Sequence, residues 1–165
     1  MRRKMGVRVS ALILILCTVG LAARTVDGLT NVVINEFELN PPGDDYVPGA
    51  EFVELYNPTS LPVDISGWTV SSTHGVPVTL KIPPGTTIPP KGFHIVTYTT
   101  QWLDNTDEQI VLKNAANVEI DRTPVKSDPF NDARTWQRYP DGSVDWVFDT
   151  ATRFAINIRS LRRQC

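Results

Sequence analysis

The 165-residue chain carries 16 basic and 18 acidic side chains, and its formal net charge is −2. From residue 24 onward, 12 basic residues stand against 18 acidic ones, a net charge of −6 that disfavours binding to nucleic-acid phosphates. This portion, about 140 residues long, is enough for one hydrophobic core and too short for two ordinary domains.

Residues 1–23 have the features of a secretory signal peptide. Residues 2–4 are all basic, and residues 11–23 form an uncharged apolar run. A helix that spans a bilayer needs about 20 apolar residues, so this shorter run predicts a signal rather than a membrane anchor. An uncleaved signal, which would hold the chain at a membrane, is the alternative. We therefore expect a secreted protein, extracellular or at the cell surface, with a short linker at residues 24–30.

The two cysteines give little scope for disulfide bonds. Cys17 lies inside the predicted signal, so its removal leaves Cys165, the last residue, without an intramolecular partner. Cys165 is then either a free thiol at a frayed terminus or a link between two copies of the chain. Stability must come from packing.

The remaining chain has the pattern of an all-β protein. It shows no sustained apolar period of 3.6 residues, and all 13 prolines lie after residue 40, where they exclude long helices. Short β-rich runs separated by Pro, Gly and Asn turns predict an antiparallel β-sandwich. The predicted strands cover residues 31–39, 51–56, 67–72, 78–82, 93–99, 108–112, 118–121, 134–139 and 145–148.

Residues 51–68 predict how the sandwich turns a corner. An alternating run ends at Pro58, which has no backbone N–H to donate to a neighbouring strand. A short extended piece follows, and Ser66 and Gly67 then turn the chain into a new strand at Trp68. Two strands joined by a proline-marked corner are typical of a β-sandwich.

Several motifs in series resemble the lamin-tail domain family in its secreted prokaryotic form. They are VINE at 33–36, EFVELYN at 51–57, DISGW at 64–68, IPPGTTIPPKG at 82–92, the segment 103–112 and WQRYPDG at 136–142. The resemblance extends over about residues 31–157 and leaves 158–165 as a basic tail, although residues 150–155 lack the Pro-Gly usual in the family. It implies an immunoglobulin-like β-sandwich that binds or tethers rather than catalyses.

The alternation of side chains along two predicted strands indicates that two carboxylates face the interior of the sandwich. Glu36 shares a face of the first predicted strand with apolar residues, and Glu54 does the same in the second. Because a buried carboxylate needs a cation or N–H donors, we predict a structural network with Arg138 or Arg134, which alternate on one face with Trp136. The alternative is that both glutamates lie at strand ends in contact with water.

A second acidic group lies around the predicted loop 40–50. Calcium binds about six to eight oxygen atoms and tolerates irregular loops, so Glu38, Asp44, Asp45 and Glu51 are candidate ligands for one calcium ion. No EF-hand spacing or other metal signature is present, and a solvated acidic loop is the alternative. We expect no other cofactor.

Catalysis is disfavoured. His74 and His94 are the only histidines, and no nucleophile elbow, zinc spacing or phosphate-binding glycine loop accompanies them. The expected function is an exported, non-catalytic module that binds a protein or the cell envelope. The alternative is a metal-dependent accessory subunit or divergent hydrolase that uses Glu36, Asp45 and Glu51.

Two features could carry binding. Trp102 lies in a polar loop after a predicted strand, where an exposed indole could anchor a protein or a sugar, or could instead close one end of the sandwich. Unpaired strand edges could pair with a second copy of the chain or with another protein. Direct contact with a membrane is expected only through an uncleaved signal.

Overall fold

A computed structural model describes residues 31–160. The predicted signal peptide, the linker at 24–30 and Cys165 lie outside these residues, as does the end of the basic tail. Within the described range no segment forms a helix long and apolar enough to cross a membrane.

Eleven strands make up the regular structure of residues 31–160. They are β1 (Val33–Glu38), β2 (Phe52–Tyr56), β3 (Val63–Asp64), β4 (Thr69–Ser72), β5 (Thr79–Lys81), β6 (Thr87–Ile88), β7 (Phe93–Thr97), β8 (Ile110–Lys113), β9 (Glu119–Arg122), β10 (Arg134–Arg138) and β11 (Trp146–Thr150).

The strands form two main antiparallel sheets. The five-stranded sheet has the order β11-β10-β1-β2-β7, and the four-stranded sheet has the order β5-β4-β8-β9. Strands β3 and β6 form a separate two-stranded sheet. Buried apolar side chains from both main sheets form one core cluster. The predicted all-β, immunoglobulin-like sandwich is confirmed.

Each of the nine predicted strands overlaps an observed one, and the differences lie at their ends. The strand predicted from residue 67 begins at Thr69, because Gly67 has a positive φ of 74° and Trp68 donates its backbone N–H to Ile65. This hydrogen bond and the positive φ of Gly67 form a turn rather than a strand. Residues 87–88 were not predicted as a strand, because two residues between proline pairs give no alternation to detect.

The predicted corner after β2 is stabilised by one side chain. The Asn57 amide donates hydrogen bonds to the carbonyl groups of Leu61, Ile88 and Pro89 at 2.7, 3.0 and 3.1 Å. Asn57 is completely buried, so these bonds satisfy a polar group that would otherwise be costly to bury. They tie the end of β2 to β6 and to the loop before β3.

The parity prediction for the first strand is wrong because β1 contains a register shift. In β1, Ile34 belongs to the sandwich core, and so does Phe37, three residues later, whereas regular alternation would place Glu36 there. The irregularity between Ile34 and Glu36 moves Glu36 to the outer face of the sheet. In β2 the core residues are Val53 and Leu55, so Glu54 also lies on the outer face.

Candidate functional site

Glu36 and Glu54, here called the covered pair, are completely buried although they face away from the sandwich core. They are direct neighbours across β1 and β2. Glu36 accepts hydrogen bonds from the Thr135 hydroxyl at 2.7 Å and from the Thr152 hydroxyl and backbone N–H, each at 2.8 Å. The segment that follows β11 therefore covers this face and supplies donors for a carboxylate that water cannot reach.

Glu54 has fewer partners than Glu36. It accepts the Phe154 backbone N–H at 2.6 Å and an Asn35 amide hydrogen at 3.5 Å. Burial raises the pKa of Glu54 to about 7, and the nearby Glu36 carboxylate adds to this, while the Phe154 N–H opposes it. Arg153 provides positive charge to both glutamates. The covered pair is thus held mainly by residues 152–154.

The predicted pairing of the covered pair with Arg138 is wrong, because the residues lie on opposite faces of the sheet. Glu36 is opposite Gln137, so Arg138 alternates to the other face. There its guanidinium contacts Asp121, with both N–O distances at 3.1 Å, and donates to the Ile34 carbonyl at 2.7 Å. Both side chains of this ion pair are largely buried.

The Arg138–Asp121 ion pair supplies hydrogen-bond partners to the backbone of Ile34, next to the irregularity in β1. Strand β10 aligns with β1 only from Glu36 onward, so Ile34 does not pair with it in the sheet. Asp121 accepts the Ile34 N–H at 2.8 Å while Arg138 donates to the Ile34 carbonyl. Because Asp121 is on β9, the ion pair also joins the two main sheets.

Arg134, the other predicted partner of the glutamates, forms a surface ion pair instead. Its guanidinium contacts Asp132 at 2.7 Å, with both side chains substantially exposed, and packs over the rings of Phe130 and Phe148. Such a pair contributes little to stability because water screens it.

Three loops meet at one end of the sandwich and bring together Asp45, Glu51, Asn105 and Asp128, here called the loop cluster. The Asn105 amide donates to Asp45 at 3.0 Å, and the Asp128 N–H donates to the Asn105 carbonyl at 2.8 Å. Asp45 also interacts electrostatically with Glu51 and Asp128. Asn105 and Asp128 were not predicted as site residues.

Each residue of the loop cluster has one buried side-chain oxygen that accepts no hydrogen bond from the described part of the chain. These atoms are Asp45 Oδ1, Glu51 Oε1, Asn105 Oδ1 and Asp128 Oδ2. Burial raises the pKa of Glu51 to about 7 and that of Asp128 to about 6. Asp45 raises both further, so the cluster is electrostatically strained when all its carboxylates are ionised.

The structure assembles only part of the predicted calcium set. Asp45 and Glu51 belong to the loop cluster, whereas Asp44 is exposed and accepts the Tyr46 N–H at 2.9 Å. Glu38 accepts the Asn40 N–H at 3.2 Å, and burial raises its pKa to about 8. Within residues 31–160, no group of three or more His, Cys, Asp or Glu side chains could hold a metal ion.

Glu108 shows what a satisfied buried carboxylate looks like in this fold. It is completely buried and accepts the backbone N–H groups of Thr73, His74, Asp104 and Gln109 at 2.8 to 3.2 Å. These bonds join the loop after β4 to the loop before β8. Glu108 was not singled out from the sequence, because a glutamate at the start of a strand has no distinctive pattern.

A cleft of about 330 Å³ lies beside this end of the sandwich. The Trp102 ring lines it but is only 4% exposed and belongs to the core cluster, so the prediction of an exposed indole anchor is wrong. The reason is local, because Glu51 accepts the N–H groups of Trp102 and Leu103 and holds the loop inward. Val76 and Tyr98 contribute exposed apolar surface to the cleft. The complete lining consists of His74, Val76, Val78, Tyr98, Thr100, Gln101, Trp102, Leu103 and Asp104.

Comparison with known families agrees with this architecture. The model of the Lamin Tail Domain family matches residues 26–127, which is most of the chain. The chain belongs to the lamin tail domain family. No curated protein matches it.

The matched region of this lamin tail domain includes the cleft and most of the loop cluster, with Asp128 directly after it. Strands β10 and β11 follow the matched region and complete the five-stranded sheet. Lamin tail domains are non-enzymatic, immunoglobulin-like domains, so membership supports a binding role and gives no reason to assign a reaction to this chain.

The alternative catalytic site that the sequence suggested is divided in the structure. Glu36 is enclosed on the outer face of the sheet by Thr135 and Thr152, whereas Asp45 and Glu51 lie in the loop cluster. His74 contacts Asp104 at 3.3 Å at the cleft, and the backbone N–H of Thr106 lowers the pKa of Asp104. The contact joins the loop after β4 to the loop before β8, as the hydrogen bonds of Glu108 do.

Proposed function

We propose that the chain is an exported, non-catalytic lamin tail domain that attaches to a protein or another component of the cell envelope. Its binding surface is the cleft beside Trp102. The observation that carries this proposal is the combination of a binding-domain family with a cleft whose rim has exposed apolar side chains.

The shape and chemistry of the cleft suit a partner that offers an apolar side chain. Val76 is 86% exposed, and Tyr98 adds a partly exposed ring beside it. Exposed apolar groups around a concave surface are typical of contact sites for partner molecules. His74 and Asp104 add polar contacts at the same cleft.

The binding proposal is tested by measuring how the purified chain is retained on washed cell envelopes. Val76→Asp places a charge in the cleft and should weaken retention at least tenfold. Val144→Asp is the matched control, because Val144 is 83% exposed and does not line the cleft. Equal binding by the two variants would place the partner elsewhere, and no saturable binding by the unmodified chain would contradict the proposal.

Export is tested separately. We expect the chain recovered from the cell exterior to begin near residue 24, as measured by mass spectrometry of the intact protein. A charged substitution in the apolar run, Leu14→Asp, should retain the chain inside the cell. Recovery of both forms in the cytoplasm would contradict export.

A further inference from the structure

Residues 151–160, here called the strap, lie on the outer face of the five-stranded sheet and are held there by polar groups. The backbone N–H groups of Thr152 and Phe154 donate to the covered pair. The Asn157 amide donates to main-chain carbonyl groups of β1 and β10 at 3.3 and 2.8 Å, and Ser160 donates twice to Asp149 on β11. The strap is therefore attached through backbone groups and polar side chains, not by burying its own large apolar side chains.

The large apolar side chains of the strap, here called the apolar stripe, are exposed. They are Phe154, which is 67% exposed, Ile156, which is 71% exposed, and Ile158, which is also exposed although Asn157 before it is buried. Exposed apolar residues that occur singly are normal, whereas three within five consecutive residues form a patch of the kind that marks an interaction site.

The backbone conformation of Phe154 is fixed at an energetic cost. Its φ is +60°, which is unfavourable for a residue with a bulky side chain. The bond from its N–H to Glu54 at 2.6 Å and a turn bond from the Ala155 N–H to the Thr152 carbonyl at 2.8 Å maintain this conformation. The contacts that attach the strap thus hold the Phe154 ring in an exposed position.

The strap region also differs from the rest of the chain in charge. Residues 150–165 contain four arginines and no acidic residue, a net charge of +4, whereas residues 24–149 contain 8 basic and 18 acidic residues, a net charge of −10. Arg153 donates to the carbonyl groups of the loop before β2, and Arg159 is exposed next to the apolar stripe. An anionic surface would attract this region and repel the remainder, which would orient the domain.

We propose that the strap docks the domain on an anionic phospholipid surface, with the apolar stripe entering the interface and Arg159 contacting lipid phosphates. Apolar side chains enter the boundary between headgroups and acyl chains, and neighbouring basic residues bind anionic headgroups. This surface is separate from the proposed binding cleft. It also departs from the expectation that only an uncleaved signal contacts a membrane, because the sequence does not show which apolar residues face outward.

The composition of the stripe favours lipid over nucleic acid. Nucleic-acid phosphates would attract the arginines, but bases stack on aromatic rings, and Ile156 and Ile158 offer only aliphatic surface. Ile and Phe are among the residues whose transfer into a bilayer is favourable. An acidic protein could attract the same arginines, so the decisive measurement uses lipid without protein.

The test is co-sedimentation with protein-free lipid vesicles. The chain from residue 24 onward is used, because the apolar run in residues 1–23 would bind lipid by itself, and all eleven described strands are retained. We expect binding to vesicles that contain phosphatidylglycerol, and at least about tenfold weaker binding to phosphatidylcholine alone or at high salt. No binding to the anionic vesicles would overturn the proposal. Retention on envelopes without vesicle binding would overturn it in favour of a protein partner.

Variants locate the contact. Ile156→Asp should weaken vesicle binding at least about tenfold, because it places a negative charge in the interface. Val118→Asp is the matched control, since it makes the same change of charge at an exposed residue between β8 and β9 of the other main sheet, and it should bind normally. Arg159→Gln should weaken binding about fivefold, whereas Lys81→Gln on β5 should have little effect. Equal binding by Ile156→Asp and Val118→Asp would overturn the proposal.

Fluorescence gives a second measurement on folded protein. The emission of a Phe154→Trp variant should shift to shorter wavelengths when anionic vesicles are added, because the indole leaves water, whereas Val118→Trp should respond like the unmodified chain. The absence of a shift specific to Phe154→Trp would contradict the contact. Val76→Asp should leave vesicle binding intact, so this result does not depend on whether the cleft binds a partner.

Discussion

The covered pair and the loop cluster are both groups of buried acidic side chains, but the protein treats them differently. At Glu36, three donors from Thr135 and Thr152 contact the carboxylate, and residues 152–154 close over it. In the loop cluster, Glu51 and Asp128 each keep one buried oxygen without a donor in the described chain. The described chain satisfies the carboxylate oxygens of the first group and only part of those of the second.

The difference shows why burial alone does not identify a binding site. A buried carboxylate is stable when N–H and O–H groups replace water, as around Glu36 and Glu108. A buried oxygen that has no donor, as in the loop cluster, is the exception that calls for a separate explanation. Substitutions of carboxylates that have all their donors and of carboxylates that lack one can therefore test this difference.

The largest expected effect comes from Arg138→Met. This change leaves the buried Asp121 without its cation and the Ile34 carbonyl without its donor, and it should cost about 3–5 kcal/mol in the free energy of unfolding. Urea denaturation measures it. In double-mutant cycles, Arg138→Met should couple strongly to Asp121→Asn and negligibly to Glu36→Gln. Strong coupling between Arg138→Met and Glu36→Gln would instead support the network that the sequence predicted between Arg138 and the glutamates. It would contradict their assignment to opposite faces of the sheet.

The next effect concerns the covered pair itself. Glu36→Ala leaves the Thr135 and Thr152 donors without an acceptor, and we expect it to cost about 3 kcal/mol in unfolding free energy. Glu36→Gln is the control that keeps one acceptor and removes repulsion from Glu54, so it should cost about 1 kcal/mol. If the two variants were equally unstable in urea, the charge and not the hydrogen bonding of Glu36 would be decisive.

A smaller effect should appear in the pH dependence of stability. The pKa of Glu54 rises from 4.5 to about 7 on folding, so the folded chain binds more protons than the unfolded chain between these values. Its contribution to stability must therefore fall as the pH rises from about 4.5 to about 7, by no more than the ~3 kcal/mol that corresponds to this pKa difference. Urea denaturation across this range, compared with Glu54→Gln, isolates the contribution. A difference that grows in the opposite direction would contradict the assigned environment.

Glu51 should show a pH dependence of the same sign as Glu54. Burial raises its pKa to about 7, although the backbone N–H groups of Trp102 and Leu103 oppose the rise. Its contribution to stability should therefore also fall as the pH rises from about 4.5 to about 7. We expect Glu51→Gln to remove the Glu51 part of the pH dependence in urea denaturation and to leave the Glu54 part. Loss of both parts in this single variant would show that the two groups do not titrate independently.

Much of the sandwich could be predicted from sequence because it depends on local patterns. Alternation marks β2 and β10, and Asn57-Pro58 with Ser66-Gly67 marks the corner. The register shift in β1 could not be predicted, because no residue type in that strand requires it. That one shift reversed the face of Glu36 and therefore its partners.

The candidate sites were less predictable because their residues are distant in the chain. Thr152 is 116 residues from the glutamate it caps, and it lies in the segment where the family's usual Pro-Gly is absent. Asn105 and Asp128 join Asp45 only when three loops meet. The available signal was the presence of Asn and Asp residues in those loops, which is common in solvated turns and therefore not specific.

The smallest expected effect concerns Arg134, which the sequence did not distinguish from Arg138. Both guanidinium groups contact aspartates, but the Arg134–Asp132 pair is exposed, so Arg134→Gln should change the unfolding free energy far less than Arg138→Met does. Most of that change should reflect lost packing on Phe130 and Phe148, and raising the salt concentration should barely alter it in urea denaturation. Arg134→Met, which keeps apolar contact with the rings, is the control and should recover part of the loss. If Arg134→Gln lowered the free energy of unfolding as much as Arg138→Met, exposure would not distinguish structural ion pairs from surface ones. Burial could then not be used to rank the carboxylates of this fold by their contribution to stability.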